Sequence, residues 1–410
     1  MKKFGIGVAA ATMAVLSPAT ATAQPRPQPA PAAITLTPAE RTALAPLHQA
    51  VEAGNWTLAS SLVPAARTGA RGTDARYVLA RLELAIATGM GNRAAQSLAI
   101  DGVMNTRRAP VDEQVVLLRQ QAGLAYDTGN LNDAEGLLNR AIGLAPNDSE
   151  ALSMLAQVER NRNRPVEALG LFQRASRAAL AEGRALPESR YKLAIAMAEQ
   201  GGQRGVALEL ARNFIAAYPT AVNWRDVLIV FRTLGTADAA QVADAWRLAR
   251  ATGALAGERD YIAAAQAMDS AGFPAEAKAI IDDGVARRTL SATNPAARTL
   301  LTAVGPRITR ERGTLAAQLA TARGASGTAE QARTAGDAHL SHGRFAEAAE
   351  LYRLALTRPG SDAGLVNTRL GIALAMAGQR AEADAAIRIV VGPYAEIAAL
   401  WAVWLVNREV

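Results

Sequence analysis

Apolar residues recur every three or four positions along most of this chain, in short runs closed by a turn residue. The stretch from Gly129 to Asn147 shows the unit. Leu131, Ala134, Leu138 and Ala141 share one helical face, and Pro146 with Asn147 stops the helix. The design returns after Asn163, with Ala168, Phe172 and Ala175 on the apolar face; Ala134 to Ala168 is a step of 34 residues. Ala348, Tyr352 and Ala355 repeat it after Gly343. Helical spacing holds from Pro38 onward, and no alternating run of useful length interrupts it. The pattern predicts an all-α chain.

The punctuation is as regular as the helices. Turn residues fall at Gly54, Gly91, Gly129, Asn163, Gly202, Gly235, Gly272, Gly305, Gly343 and Gly378, a mean step of 36 residues. In the best-matched units an alanine stands five residues after the turn, a large apolar residue four later and a small one three later, while the units around Gly91 and Gly235 and the stretch 294–327 depart from this. Gly129, Ala134, Leu138 and Ala141 fit this throughout; Gly343, Ala348, Tyr352 and Ala355 fit it too. Gly336 and the Leu370-Gly371 pair supply small positions in preceding helices. This register resembles the tetratricopeptide repeat. The resemblance covers Pro38 to Val410. It implies an α-solenoid of stacked antiparallel helix pairs, a right-handed superhelix in which each pair covers its neighbour's apolar face.

The chain divides accordingly. Met1-Lys2-Lys3, the apolar stretch Phe4 to Leu16 and the A-x-A site Ala21-Thr22-Ala23 read as a signal peptide over 1–23. Residues 24–37 form a proline-rich leader of extended character. Residues 38–293 read as an N-terminal repeat array. Residues 294–327 read as a degenerate repeat or helical spacer, with helices expected at Pro295 to Val304 and Ile308 to Arg323, split by Gly305-Pro306. Residues 328–410 read as a C-terminal repeat pair plus a capping helix. Cleavage near Ala23 would send the mature chain to the periplasm or outside the cell, with no transmembrane segment.

Composition narrows the chemistry. The formal charge is +7 but is spread along the chain, and aromatic residues are only 4%, which argues against a nucleic-acid interface. There is no cysteine, hence neither a disulfide framework nor a cysteine nucleophile. His339 and His342 stand three apart, but no third ligand shares their face, since Asp337 points elsewhere and His48 is remote. No phosphate-binding loop, nucleophile elbow or dinucleotide fingerprint occurs. The reading is a non-enzyme with no metal and no cofactor.

What the resemblance implies about binding lies on the first helix of each pair, which lines the concave groove of such repeats. By position these residues are Arg119, Gly123, Tyr126 and Asp127, then Ser153, Gln157, Arg160 and Asn161, and in the C-terminal pair Arg333, Asp337, Leu340 and Ser341. Arg119, Gly123, Ser153 and Gln157 depart from the Lys and Asn clamp that chaperone-binding members use. The mixed polar lining suits an extended peptide or a protein surface. The apolar helix from Ala395 to Val406 has two readings: it packs into the last repeat, or Trp401 and Trp404 dock onto a partner or a second copy. Signal peptide and repeats together read as an exported, non-catalytic scaffold for protein–protein interactions in a cell-envelope assembly. The alternative is a component of polysaccharide export or cell-wall glycan handling, against which the scarcity of stacking aromatics weighs.

Overall fold

Helix follows helix in the computed structural model, which describes residues 33–234 and 236–407. The expected signal peptide, most of the proline-rich leader and the turn residue Gly235 lie outside the described residues. Two compact units are present. The first comprises α1 (Pro38–Glu52), α2 (Trp56–Gly69) and α3 (Thr73–Gly89). A capping box starts it: Thr37 accepts from Glu40 N, and the Glu40 carboxylate returns to Thr37 N at 2.9 Å and reaches Gly72 N at 2.7 Å, tying α1 to the head of α3. Leu44, Leu47, Ala59, Ala66, Ala75 and Ile86 form its core. The helix α4 (Arg93–Asn105) is divided between the units.

The second unit runs through α5 (Val111–Asp127), α6 (Leu131–Leu144), α7 (Ser149–Asn161), α8 (Pro165–Ala181), α9 (Glu188–Gln200), α10 (Arg204–Ala217), α11 (Ala221–Thr233) and α12 (Ala239–Ala251). It continues with α13 (Glu258–Ser270), α14 (Pro274–Ala286), α15 (Pro295–Arg323), α16 (Ala329–Ser341), α17 (Phe345–Leu356), α18 (Ala363–Met376), α19 (Arg380–Arg388) and α20 (Ala395–Asn407). No strand occurs among the described residues.

One turn shows how the hairpins form. Gly129 sits at φ +78°, a left-handed conformation that costs glycine little. Gly129 N donates to Tyr126 O at 3.0 Å and Asn130 N to Ala125 O at 2.9 Å, which closes α5. The Asn130 side chain then accepts from Asp133 N and opens α6. Eight of the ten punctuating residues adopt a left-handed turn, Asn163 among them at φ +59°.

The hairpins close tightly because their contacts are small. Ala134, Leu138, Ala141, Ala168, Phe172, Ala175, Ala348, Tyr352 and Ala355 are all 0–1% exposed. A Cβ at Gly336 would stand 2.8 Å from the Tyr352 ring, and one at Gly371 would stand 2.4 Å from Ile387. Each glycine therefore receives a large side chain from the next helix.

Two expectations are corrected. Gly305 is not a turn, and Gly305-Pro306 does not split the helix: α15 is continuous over 29 residues with Pro306 inside it. Pro306 removes the hydrogen bond to Thr302, but both residues lie on the exposed face, where water can satisfy the freed carbonyl. Val304 and Ile308 stay buried on the opposite face and hold the helix together. The Trp pair is not available to a second copy. Trp401 and Trp404 are 0% and 8% exposed, stacked edge to face at 5.2 Å, inside their own chain.

That burial reaches far back along the sequence. Trp401 Nε1 donates to Asp244 O at 3.3 Å, Gln241 Nε2 donates to Pro393 O at 2.7 Å, and Tyr394 OH donates to Asp238 at 3.1 Å. The head of α20 and the tight turn Gly392–Tyr394 before it thus seat on α12, whose residues from Ala243 to Ala249 are all buried. The helices go on stacking in order after α12, and α20 folds back onto α10 and α12.

Ala134→Phe should overpack the α5–α6 contact and cost about 1–3 kcal/mol in urea unfolding. An unchanged midpoint would mean the register is misassigned.

Candidate binding groove

The first helices of successive pairs, α5, α7 and α9, present a polar face. Tyr126 OH accepts from Asn161 Nδ2 at 2.7 Å, and Arg160 Nη2 donates to Asn161 Oδ1 at 3.2 Å. Arg119 Nη1 donates to Asp148 at 3.1 Å; because Asp148 also caps α7 by accepting from Ala151 N at 2.7 Å, this bond fixes α5 against α7. Asp127 pairs with Arg93 at 2.9 Å near the surface. Gly123 leaves space that Met154 approaches to 3.8 Å from an added Cβ.

At the centre is a residue that sequence alignment passed over. Arg190, in the first turn of α9, donates through Nη1 to Ser153 O at 3.2 Å and Ser153 Oγ at 3.0 Å. With its amide oxygen turned inward, Gln157 accepts from Arg190 Nη2 at 2.7 Å. All these acceptors are neutral, and no described carboxylate forms an ion pair with Arg190. Burial pushes its guanidinium down from the ordinary arginine range, only partly offset by the field of Glu150. Position explains the miss: Lys192, not Arg190, aligns with Ser153, each ten residues before its turn. Arg232 of α11 aligns with Arg160 and is placed likewise. Its guanidinium stacks 3.7 Å over Trp246, and burial pushes it down to about 10.

Arg333 and Asp337 do not join this face. Asp337 accepts from Arg369 Nη1 at 2.7 Å and from Tyr352 OH at 2.8 Å, and Arg333 pairs with both Asp337 and Glu330. This cluster extends inward to α12. Arg369 lies 3.9 Å from Asp244, and Arg247 bonds both Asp244 and Glu276, the latter at 2.9–3.0 Å. Both guanidiniums stack on Phe273, at 4.1 and 5.1 Å. Three arginines and four carboxylates meet there, Glu330 at the exposed edge, and Asp244 is fully buried. Arg333 and Asp337 are therefore corrected from open groove positions to members of an internal ionic network. The cause is α12, which occupies the space that the first helices of the C-terminal pairs enclose. Leu340 and Ser341 are buried as well.

The histidines part ways. His342 Nε2 pairs with Glu311 at 2.8 Å, while His339 is 1% exposed with neither ring nitrogen bonded. Burial holds the His339 imidazole below the ordinary histidine value, against the nearby Leu315 backbone and the field of Glu347, and with Arg344 and His342 acting in the same direction as burial.

Asp244→Ala should take from buried Arg247 and Arg369 one of the two carboxylates each of them faces and cost about 3–5 kcal/mol. Arg323→Ala, which breaks an exposed pair with Glu350, should cost about 1 kcal/mol or less in the same urea titration. For His339 the folded chain refuses a proton that the unfolded chain accepts near pH 6.5, so its contribution to stability is lost as pH falls through that value. His339→Leu should flatten this part of the curve below about pH 6.5 relative to wild type, and parallel wild-type and variant curves would disprove it.

Comparison with known protein families found no match, and comparison with curated protein sequences found none. Among solved structures, a crystal structure of MamA aligns at 14% identity and TM-score 0.31, over 47% of this chain and 92% of that one. A tetratricopeptide repeat protein from Parabacteroides merdae aligns at 13% identity and TM-score 0.34, over 82% of this chain and 99% of that one. The chain's own geometry is what classifies it: left-handed turns at regular spacing, alanine contacts within each hairpin, and glycines that receive the next helix's large side chain. Its described residues fold as an all-α stack of helix pairs, an α-solenoid of the kind that tetratricopeptide repeats also build.

Proposed function

We propose that this chain is an exported, non-catalytic scaffold of a cell-envelope assembly that holds an extended protein segment along α5, α7 and α9. The observation that carries the reading is Arg190, a partly buried guanidinium satisfied only by neutral acceptors. Such a cation is poorly compensated until an anionic side chain or a chain terminus meets it. Tyr126, Asn161, Gln157 and Arg160 stand around it as further hydrogen-bonding groups. The C-terminal pairs offer no equivalent, since α12 fills their inner face. Export rests on the charged, apolar and A-x-A segments of residues 1–23.

Immobilised mature chain should retain a specific protein from envelope extract. Arg190→Ala should weaken that retention by roughly tenfold to a hundredfold, the equivalent of one charge-assisted hydrogen bond, with unchanged helicity. Retention unaffected by Arg190→Ala would reject the groove. A chain purified from the producing cell's cytoplasm with residues 1–23 still attached would reject export.

A further inference from the structure

A second site lies where the chain closes on itself, well apart from α5, α7 and α9. A half-open cleft of about 560 Å³ is enclosed by α12, α14, α15, α16, α18 and α20. Its volume is that of a small-molecule site. Phe345 and Met376 give it accessible apolar surface, while Ile372 and Trp401 border it but are themselves buried. Its polar lining is unbalanced: five cationic side chains face two carboxylates.

The pairing shows where the surplus sits. Glu276 is taken by Arg247 at the inner end. Asp283 is shared, 3.0 Å from Arg287 and 3.9 Å from Arg250. Lys278 is paired with Asp282, which is outside the lining. Arg312 is exposed and forms no ion pair with any described residue. Arg250 and Arg312 are thus the groups with charge to spare, above an apolar wall. An inorganic anion would leave that wall in contact with water; a neutral hydrocarbon would leave the guanidiniums unmatched.

We propose that this cleft binds a small amphipathic anion, a carboxylate or phosphate carried on an aliphatic or aromatic body. The head meets Arg250 and Arg312, and the body lies against Phe345 and Met376. Two of the walls, α12 and α20, are distant in sequence and meet through Asp244 and Trp401.

The test uses the full mature chain and decanoate as probe, followed by calorimetry. Decanoate should bind one saturable site and raise the melting temperature. Decanol and inorganic phosphate should each bind roughly tenfold more weakly or worse. Arg250→Gln combined with Arg312→Gln, both at solvent-facing positions, should weaken decanoate by roughly tenfold and leave decanol unchanged. Met376→Trp, from an exposed position on the wall, should block both. Decyl phosphate in place of decanoate distinguishes a phosphate head from a carboxylate head. No saturable decanoate binding, equal binding of decanol, or indifference to the double substitution would overturn the site. Arg190→Ala should leave decanoate affinity untouched, so that failure of the groove reading and failure of this one are told apart.

Discussion

A hairpin whose contact face is alanine has to be covered by its neighbour. Ala134, Ala168 and Ala348 expose nothing, yet each supplies little area of its own, so the covering comes from repetition. Within the second unit, successive pairs cover one another in this way. The last pair has no successor, and its cover comes from the interior of the chain instead. The helix α20 is apolar on nearly all sides and sits against α12, which is itself buried on nearly all sides. The end of the array is therefore closed by a contact that spans more than 150 residues.

This closure changes the energetics of the fold. Open repeat arrays are sums of local terms and can fray from either end. Here the C-terminal pairs are bound to the middle of the unit through Asp244, Arg247, Arg369 and Asp337, as well as through Trp401. A buried ionic cluster contributes little net stability compared with apolar packing, but breaking one member is costly. Its stronger effect is on specificity: Asp244 can be buried only where Arg369 and Arg247 both reach it, which permits one docking of α12.

The local design was readable from residue order because it depends on local spacing. Eight of ten turn residues took the expected conformation, and the packing alanines are buried where their register puts them. The failures were of another kind. Gly305-Pro306 reads as a break, yet the buried pair Val304 and Ile308 outweighs a single lost hydrogen bond on the exposed face. Asp337 reads as a groove position and nothing in the sequence marks Asp244 or Arg369, because their partners lie on other helices and no period connects them. Trp401 and Trp404 were legible as residues needing cover, but not as to what covers them. Arg190 fell outside the aligned groove positions, and its lack of a carboxylate partner is visible only in three dimensions.

The same closure decides which surface is left for a partner. An external segment entering the C-terminal groove would have to displace α12, separate Asp244 from two arginines and expose Trp401 to water. Each of these steps carries a cost of several kcal/mol by the usual magnitudes for buried charges and aromatic rings, well beyond what one peptide's contacts return. Along α5, α7 and α9 nothing has to leave. Arg190 already sits partly desolvated in its place, held by Ser153 and Gln157, so an arriving anion meets a donor whose burial and ordering were completed when the chain folded. Folding has used one groove as core and kept the other preorganised.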